Sequence, residues 1–342
     1  MDFSDLERYL EQSPYQNLFI VGAGAWGTAL ANTASRAGRK VTLWAFEKEV
    51  KEIIETSREN KMYLPGVMIE PDIEVTNSLK DMKKTDAVLF VTPAQHFRKI
   101  LKDAPKMDNS VPFVICAKGI ELETGKMLSS ILKEEQPERP YAILSGPSFA
   151  VETAKGWPTA VTVACDDKDI ARNVANALSH KTFRPYISYD PIGAQICGAV
   201  KNVIAIACGI VHGKGMGDNA RSALITRGLH EIWRLGNAMG AQRKTFMGMS
   251  GMGDLTLTCS SMQSRNFSLG VMLGQGRSLD DILQGRSSVT EGVHTSKAVE
   301  KIAQRHAVQM PICHAVYSVL EGQSTVDEAI NSVLTRPLSD ED

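Results

Sequence analysis

A strand-like run, Asn17 to Val21, feeds directly into Gly22-Ala23-Gly24-Ala25-Trp26-Gly27, and a helix-like stretch follows. Three glycines at this spacing, set between a strand and a helix, narrow the possible folds more than any other feature of the chain. The first glycine permits a sharp turn, the second lets backbone N–H groups approach a pyrophosphate, and the third lets the helix lie close on the sheet. A pyrophosphate then meets the helix N-terminus, where N–H groups without intrahelical partners and the helix dipole favour an anion. A glycine-rich turn alone carries no such meaning. Here Val41-Thr42-Leu43-Trp44 supplies the second strand that a βαβ unit requires, so Gly22, Gly24 and Gly27 are expected to form a dinucleotide-binding turn.

The alternation continues downstream. Short apolar runs at 17–22, 40–45, 72–76, 86–91, 112–116, 141–145, 159–165 and 182–188 are separated by helix-like segments, which predicts an α/β fold with a mostly parallel, doubly wound sheet. Runs such as Ala87-Val88-Leu89-Phe90-Val91 are apolar throughout, as strands covered on both faces must be. From Pro191 onward alanine-, leucine- and methionine-rich stretches with helical periodicity take over. The expected organisation is an extension over 1–16, a dinucleotide-binding domain over 17–190 and an all-α domain over 191–342. A length of 342 residues suits about two domains.

Composition excludes several functions. A net charge of -1 gives no general attraction to nucleic acid or to an anionic membrane, so an anionic ligand needs local basic groups. The apolar stretch around Val200 to Val211 is interrupted by Lys201 and Asn202, which argues against stable membrane insertion. Met1 to Asn17 is polar and acidic, without the features of a signal peptide, and is expected to form a short surface helix; the acidic end, Leu338 to Asp342, is expected to fray. Cys116, Cys165, Cys197, Cys208, Cys259 and Cys313 lie scattered in apolar surroundings, the pattern of reduced thiols in a cytoplasmic protein. No metal site is expected, and His212 and His230 read as structural or surface residues.

Lys201 and Asn202 interrupt Ile192 to Ala207, a helix-like run with few other polar groups. A lysine there must snorkel out, pair with an acid or line a polar cleft, and partial burial of an ammonium readies it to give up a proton. A second cluster, Gly251 to Thr256 followed by Cys259 to Asn266, gathers Asp254, hydroxyls, Arg265 and Asn266 ahead of a new helix. Arginine, serine, asparagine and helix N–H groups make an oxyanion cradle; a capped polar loop accounts for the same composition. Lys118, after strand 112–116, and Gly146 and Ser148, after strand 141–145, fall at carboxyl ends of strands, where ligands bind in open α/β sheets. Glu291 fits a ligand contact or the first-turn acid of a helix.

Taken together, these motifs resemble the bacterial NAD(P)-dependent glycerol-3-phosphate dehydrogenases. The likeness is carried by Gly22 to Gly27 with Trp26, Asn60-Lys61-Met62-Tyr63-Leu64-Pro65-Gly66, Lys118 to Glu121, Leu144 to Ala150, Lys201-Asn202, Gly251 to Thr258, Ser264-Arg265-Asn266 and Glu291-Gly292. It implies a Rossmann-type first domain, a helical second domain of the 6-phosphogluconate dehydrogenase type, an active site between them and a homodimer. It also implies reversible reduction of dihydroxyacetone phosphate to sn-glycerol 3-phosphate with NADH or NADPH, feeding phospholipid synthesis. By motif, Lys201 resembles the general acid/base. Lys118, Gly146, Ser148, Lys201, Asp254, Ser264, Arg265 and Asn266 resemble substrate contacts, and Ala25, Trp26, Phe46, Lys118, Ala150, Arg265, Val289 and Glu291 resemble cofactor contacts beside the three glycines.

One departure bears on the cofactor. Where the family often has arginine or histidine near the adenosine ribose, this chain reads Phe46-Glu47-Lys48. An acid at Glu47 fits the ribose hydroxyl of NAD and a cation at Lys48 fits the extra phosphate of NADP, so both cofactors stay open. The rival readings are a β-hydroxyacid-type dehydrogenase, against which Ser264, Arg265 and Asn266 argue, and a non-catalytic nucleotide-sensing protein, against which Lys118, Lys201 and Asp254 argue.

Overall fold

A computed structural model describes residues 13–284 and 290–337, so the segments 1–12, 285–289 and 338–342 fall outside it. The chain divides into two compact units, one of residues 1–118 and 126–195, the other of residues 119–125 and 196–342.

The first unit is built on an eight-stranded sheet: β1 Asn17–Val21, β2 Lys40–Trp44, β3 Glu74–Thr76, β4 Ala87–Phe90, β5 Phe113–Ile115, β6 Tyr141–Ser145, β7 Thr159–Ala164 and β8 Phe183–Ser188. Their spatial order is β3-β2-β1-β4-β5-β6-β7-β8, with every pairing parallel except β6 with β7. All eight strands lie where apolar runs are read in the sequence. β3 and β5 each keep three residues of a five-residue run; β3 starts late because Pro71 and Asp72 are taken by a turn.

Alternate residues of each strand point to opposite faces. Leu18, Ile20, Leu43, Leu89 and Val114 enter one core with Leu30 and Ala34 of α1 (Ala25–Arg36), Ile54 of α2 (Lys48–Ser57) and Val174 of α6 (Lys168–Leu178). Phe19, Val21, Phe90, Phe113 and Ile115 enter the other with Phe97 and Leu101 of α3 (Phe97–Asp103) and Ile131 of α4 (Leu128–Glu135). A sheet covered on both faces explains strands without polar alternation. The short helix α5 (Ala150–Ala154) follows β6. The two neighbours of β1 are β2 and β4, reached by connections running in opposite directions along the sheet, and the crevice at such a switch point opens beyond the carboxyl ends of the strands.

The second unit is helical, with α7 (Pro191–Gly213) entering it at Ile196. It continues through α8 (Gly217–Ala238), α9 (Arg243–Phe246), a π-helical turn over Met249–Gly253, α10 (Asp254–Cys259), α11 (Arg265–Gly274), α12 (Leu279–Gln284), α13 (Glu291–Arg305), α14 (Pro311–Leu320) and α15 (Val326–Leu334). Helix α7 is long and apolar enough to cross a bilayer by length and composition, yet its apolar window is wholly buried by protein, which makes it a core helix. Glycines set how closely α7 and α11 approach: a Cβ at Gly209 would lie 2.1 Å from the Phe267 carbonyl oxygen, and one at Gly270 would lie 2.1 Å from that of Ile206.

Candidate functional site

In the first unit the glycine turn follows β1 into α1 at the switch point. Gly22 has φ +117° and donates its N–H to the Trp44 carbonyl at 3.1 Å. A Cβ there would press on Thr92, just past β4. A Cβ on Gly27 would fall 1.8 Å from the Gly22 carbonyl oxygen, so the turn closes on α1 only without a side chain. At Gly24, by contrast, a Cβ would meet nothing within 4 Å, and no side chain caps the helix. The backbone ahead of Ala25 and Trp26 is therefore open, with the first N–H groups of a twelve-residue helix facing it, which fits the pyrophosphate of a dinucleotide. Trp26 is half-buried, and its indole Nε1 is buried without a hydrogen-bond partner in the described residues. Phe46 is 74% exposed just beyond β2 and meets Trp44 edge-on.

On the far side of β4, Lys118 follows β5 and donates from Nζ to the Gly146 carbonyl at 3.0 Å. Ser148 Oγ donates to the same carbonyl, also at 3.0 Å. Gly146 has φ +150°, and a Cβ would lie 2.8 Å from Val161 Cα, so only glycine lets β6 turn here beside β7. Ala150 is the first residue of α5. Lys118, Gly146 and Ser148 thus form one cluster at the carboxyl ends of β5 and β6.

In the second unit the structure pairs Lys201 with an acid. Its Nζ lies 2.9 Å from Asp254 Oδ1, both side chains being almost fully buried, and donates to Thr258 Oγ1 at 2.6 Å. The Thr258 hydroxyl donates in turn to the Asp254 carbonyl at 2.6 Å. Asp254 is delivered by the π-helical turn; a Cβ on Gly251 would lie 2.1 Å from the Phe246 carbonyl oxygen, so this irregular backbone depends on glycine.

Next along α7, Asn202 belongs to a second group. A Cβ on Gly292 would meet the Asn202 carbonyl oxygen at 3.0 Å and Asn266 Oδ1 at 2.6 Å, and the Gly292 N–H donates to that same Oδ1 at 2.9 Å. Arg265 and Asn266 are the first two residues of α11, and Ser264 caps it by accepting from the Phe267 N–H at 3.2 Å. Glu291 opens α13, and its charge partly offsets the burial that lowers the affinity of the Arg265 guanidinium for its proton. Ser264, expected in the oxyanion cradle, is thus the cap of this helix. Val289 lies outside the described residues.

Sequence reading missed Thr258 and Thr92. Thr258 stands four residues after Asp254, a spacing that puts a helical threonine on the preceding turn's carbonyl, and this pattern could have flagged it. Thr92 Oγ1, beside Gly22 past β4, is buried without a hydrogen-bond partner in the described residues. Its only signal in the sequence is a hydroxyl directly after an apolar strand. Among the described residues no group of three or more metal-ligating side chains occurs.

Residues 17–171 match the family model for the N-terminus of NAD-dependent glycerol-3-phosphate dehydrogenase, and residues 190–331 match that for its C-terminus. A Maricaulis maris protein named glycerol-3-phosphate dehydrogenase, NAD(P)+-linked, is 53% identical over 328 residues, covering 96% of this chain and 98% of its own. A Rhodospirillum rubrum protein of the same name is 54% identical over 324 residues, covering 94% of this chain and 93% of its own. The crystal structure of glycerol-3-phosphate dehydrogenase from Coxiella burnetii superposes with a TM-score of 0.90 at 34% identity, covering 94% of this chain and 99% of that one.

Proposed function

Because the chain belongs to the NAD-dependent glycerol-3-phosphate dehydrogenase family, we propose that Lys201 is the proton donor and acceptor of its reaction. The enzyme is an NAD(P)-dependent oxidoreductase that reduces dihydroxyacetone phosphate to sn-glycerol 3-phosphate in a reversible step. The observation that carries the assignment is the buried Lys201–Asp254 ion pair, braced by Thr258, on a mostly apolar helix.

The bound nicotinamide supplies the hydride. In the reduction, negative charge grows on the C2 oxygen of the ketone, where the Lys201 ammonium stabilises it and delivers the proton; in the reverse direction the amine takes the proton back. Asp254 and Thr258 fix the direction of the ammonium. Lys118, held on the Gly146 carbonyl with Ser148, adds a second cation and hydroxyl for substrate. Arg265 grips the phosphate with Asn266 and the N-terminal N–H groups of α11, while Ser264 fixes the start of that helix. Phosphate binding remote from the carbonyl then becomes alignment of the reacting carbon.

On the cofactor side, Gly22, Gly24, Ala25 and Gly27 hold the pyrophosphate, with Trp26, Phe46, Lys118, Ala150, Arg265 and Glu291 as further contacts. We place the enzyme in the cytoplasm, where its buried thiols stay reduced, as a homodimer whose product supplies phospholipid synthesis. The test is Lys201→Ala, for which kcat should fall by about 10²- to 10⁴-fold while NADH affinity is kept. Near-normal turnover would remove Lys201 from this role.

A further inference from the structure

We propose that this chain selects NAD over NADP through the carboxylate of Glu47, and that Tyr63, in the segment 60–66, is the residue that positions it. The proposal rests on the dinucleotide reading above and narrows it to one cofactor.

The segment is anchored at the glycine turn. Asn60, 1% exposed, donates from Nδ2 to the Ala23 carbonyl at 2.7 Å and to Thr28 Oγ1 at 2.9 Å. Its Oδ1 accepts from the Tyr63 N–H at 3.1 Å, and the Tyr63 hydroxyl donates to Glu47 Oε1 at 3.0 Å. One short segment therefore ties the pyrophosphate turn after β1 to the acid after β2. Asn77 fixes the same backbone from the other side, donating from Nδ2 to the carbonyls of Ala45 at 2.7 Å and Glu47 at 3.2 Å. Burial and the neighbouring Glu47 push the Tyr63 phenol above its usual range, which keeps it a hydrogen-bond donor.

Glu47 stands at the N-cap of α2 but makes no side-chain capping bond, so its carboxylate is not committed to the helix. An acid held beyond the second strand of a βαβ unit accepts from the adenosine ribose 2′-hydroxyl and repels a phosphate in its place. Phe46, largely exposed beside it, offers an apolar surface where a guanidinium would otherwise fork onto that phosphate. Lys48 is exposed at the first position of α2, a point charge without such a fork.

The test measures binding apart from turnover, by titrating NADH and NADPH against protein fluorescence and ADP-ribose against its 2′-phosphate by calorimetry. The native chain should bind NADH and ADP-ribose at least about tenfold more tightly than their phosphorylated counterparts. Glu47→Gln, which keeps the shape and removes the charge, should close most of that gap, and Tyr63→Phe should narrow it while leaving kcat at saturating NADH unchanged. Lys48→Ala should not reduce it. Equal binding of both forms by the native chain, or an unchanged ratio in Glu47→Gln, overturns the proposal and leaves the dinucleotide site standing. Binding of neither form overturns the dinucleotide reading along with it.

Discussion

Replacing Thr258 with valine tests how Lys201, the proposed proton donor, is held. Valine keeps the β-branched shape, so packing around α10 is preserved while two hydrogen bonds are lost: the one accepted from Lys201 Nζ at 2.6 Å and the one donated to the Asp254 carbonyl at 2.6 Å. The ammonium keeps Asp254 Oδ1 at 2.9 Å but loses the partner that fixes its direction at the end of a four-carbon stem. A hydrogen bond to a charged group is worth about 1.5–3 kcal/mol, and the site is buried, so water does not replace it freely. If that loss falls on the transition state, kcat for dihydroxyacetone phosphate drops by about 10- to 100-fold, since each 1.36 kcal/mol is a factor of ten.

The assay is steady-state oxidation of NADH at 340 nm, paired with a fluorescence titration of NADH and a thermal melt. NADH affinity should not change, because Thr258 is not among its proposed contacts. Thr258→Ser, which restores the hydroxyl without the methyl group, should recover most of the rate. A folded valine variant turning over within about twofold of the native enzyme would refute the orienting role.

Asp254→Asn leaves the Lys201 ammonium buried without its carboxylate, and breaking a buried pair from one side should cost about 3–5 kcal/mol in denaturant stability; a loss below about 1 kcal/mol would show that the pair is wetter than its geometry implies. Gly27→Ala places a Cβ 1.8 Å from the Gly22 carbonyl oxygen and should weaken NADH binding at least about tenfold, with native affinity contradicting the account of the turn. Gly270→Ala drives a methyl group into the Ile206 carbonyl, 2.1 Å away, and should raise KM for dihydroxyacetone phosphate with NADH affinity spared; equal losses for both ligands would point to general unfolding instead. Burial, and then the charge of Arg36, lowers His180 to about 4, so the unfolded chain takes up that proton first as pH falls. Its contribution to stability is present above about pH 6.5 and lost toward pH 4, and His180→Gln should flatten the dependence of the melting temperature on pH in that window, an unchanged slope counting against it.

The sheet was legible because its strands are buried on both faces and leave continuous apolar runs, which stand out against polar helices and turns. The reversal at β6 and β7 was not, since the connection between them holds only the five-residue helix α5 and its composition resembles that of a crossover. Residues 119–125 belong to the second unit through contacts from α13: Lys301 Nζ donates to the Leu122 carbonyl at 3.2 Å and Arg305 Nη2 to that of Thr124 at 3.4 Å. Cations that reach carbonyls some 180 positions away leave no local signal. At the candidate site the charged residues were legible, because a lysine in an apolar run and an arginine near glycines are conspicuous. Thr258, which braces Lys201, and Thr92, beside Gly22, were not, since a hydroxyl gains its meaning from what it faces.

The glycines of α7 and α11 explain how the proposed phosphate cradle on one helix can lie beside the proposed proton donor on the other. Glycine inside a helix costs about 1 kcal/mol relative to alanine, so Gly209 and Gly270 together oppose helix formation by about 2 kcal/mol, while Gly213 and Gly274 end their helices. They are tolerated because the two backbones touch through them: a Cβ on Gly274 would lie 2.3 Å from the Ile210 carbonyl oxygen, as one on Gly270 would lie 2.1 Å from that of Ile206. The contacts pair Ile206 with Gly270 and Ile210 with Gly274, so the helices run side by side in a constant register, one turn per step. Carried one turn further, that register brings Asn266 level with Asn202, and there both flank Gly292, whose N–H is held by the Asn266 side chain. The first turn of α11, carrying Arg265, is thereby fixed along α7 next to the position of Lys201. Larger residues at the four glycines would push the two backbones apart and lose this register, so the spacing of small residues here sets the geometry of the proposed site.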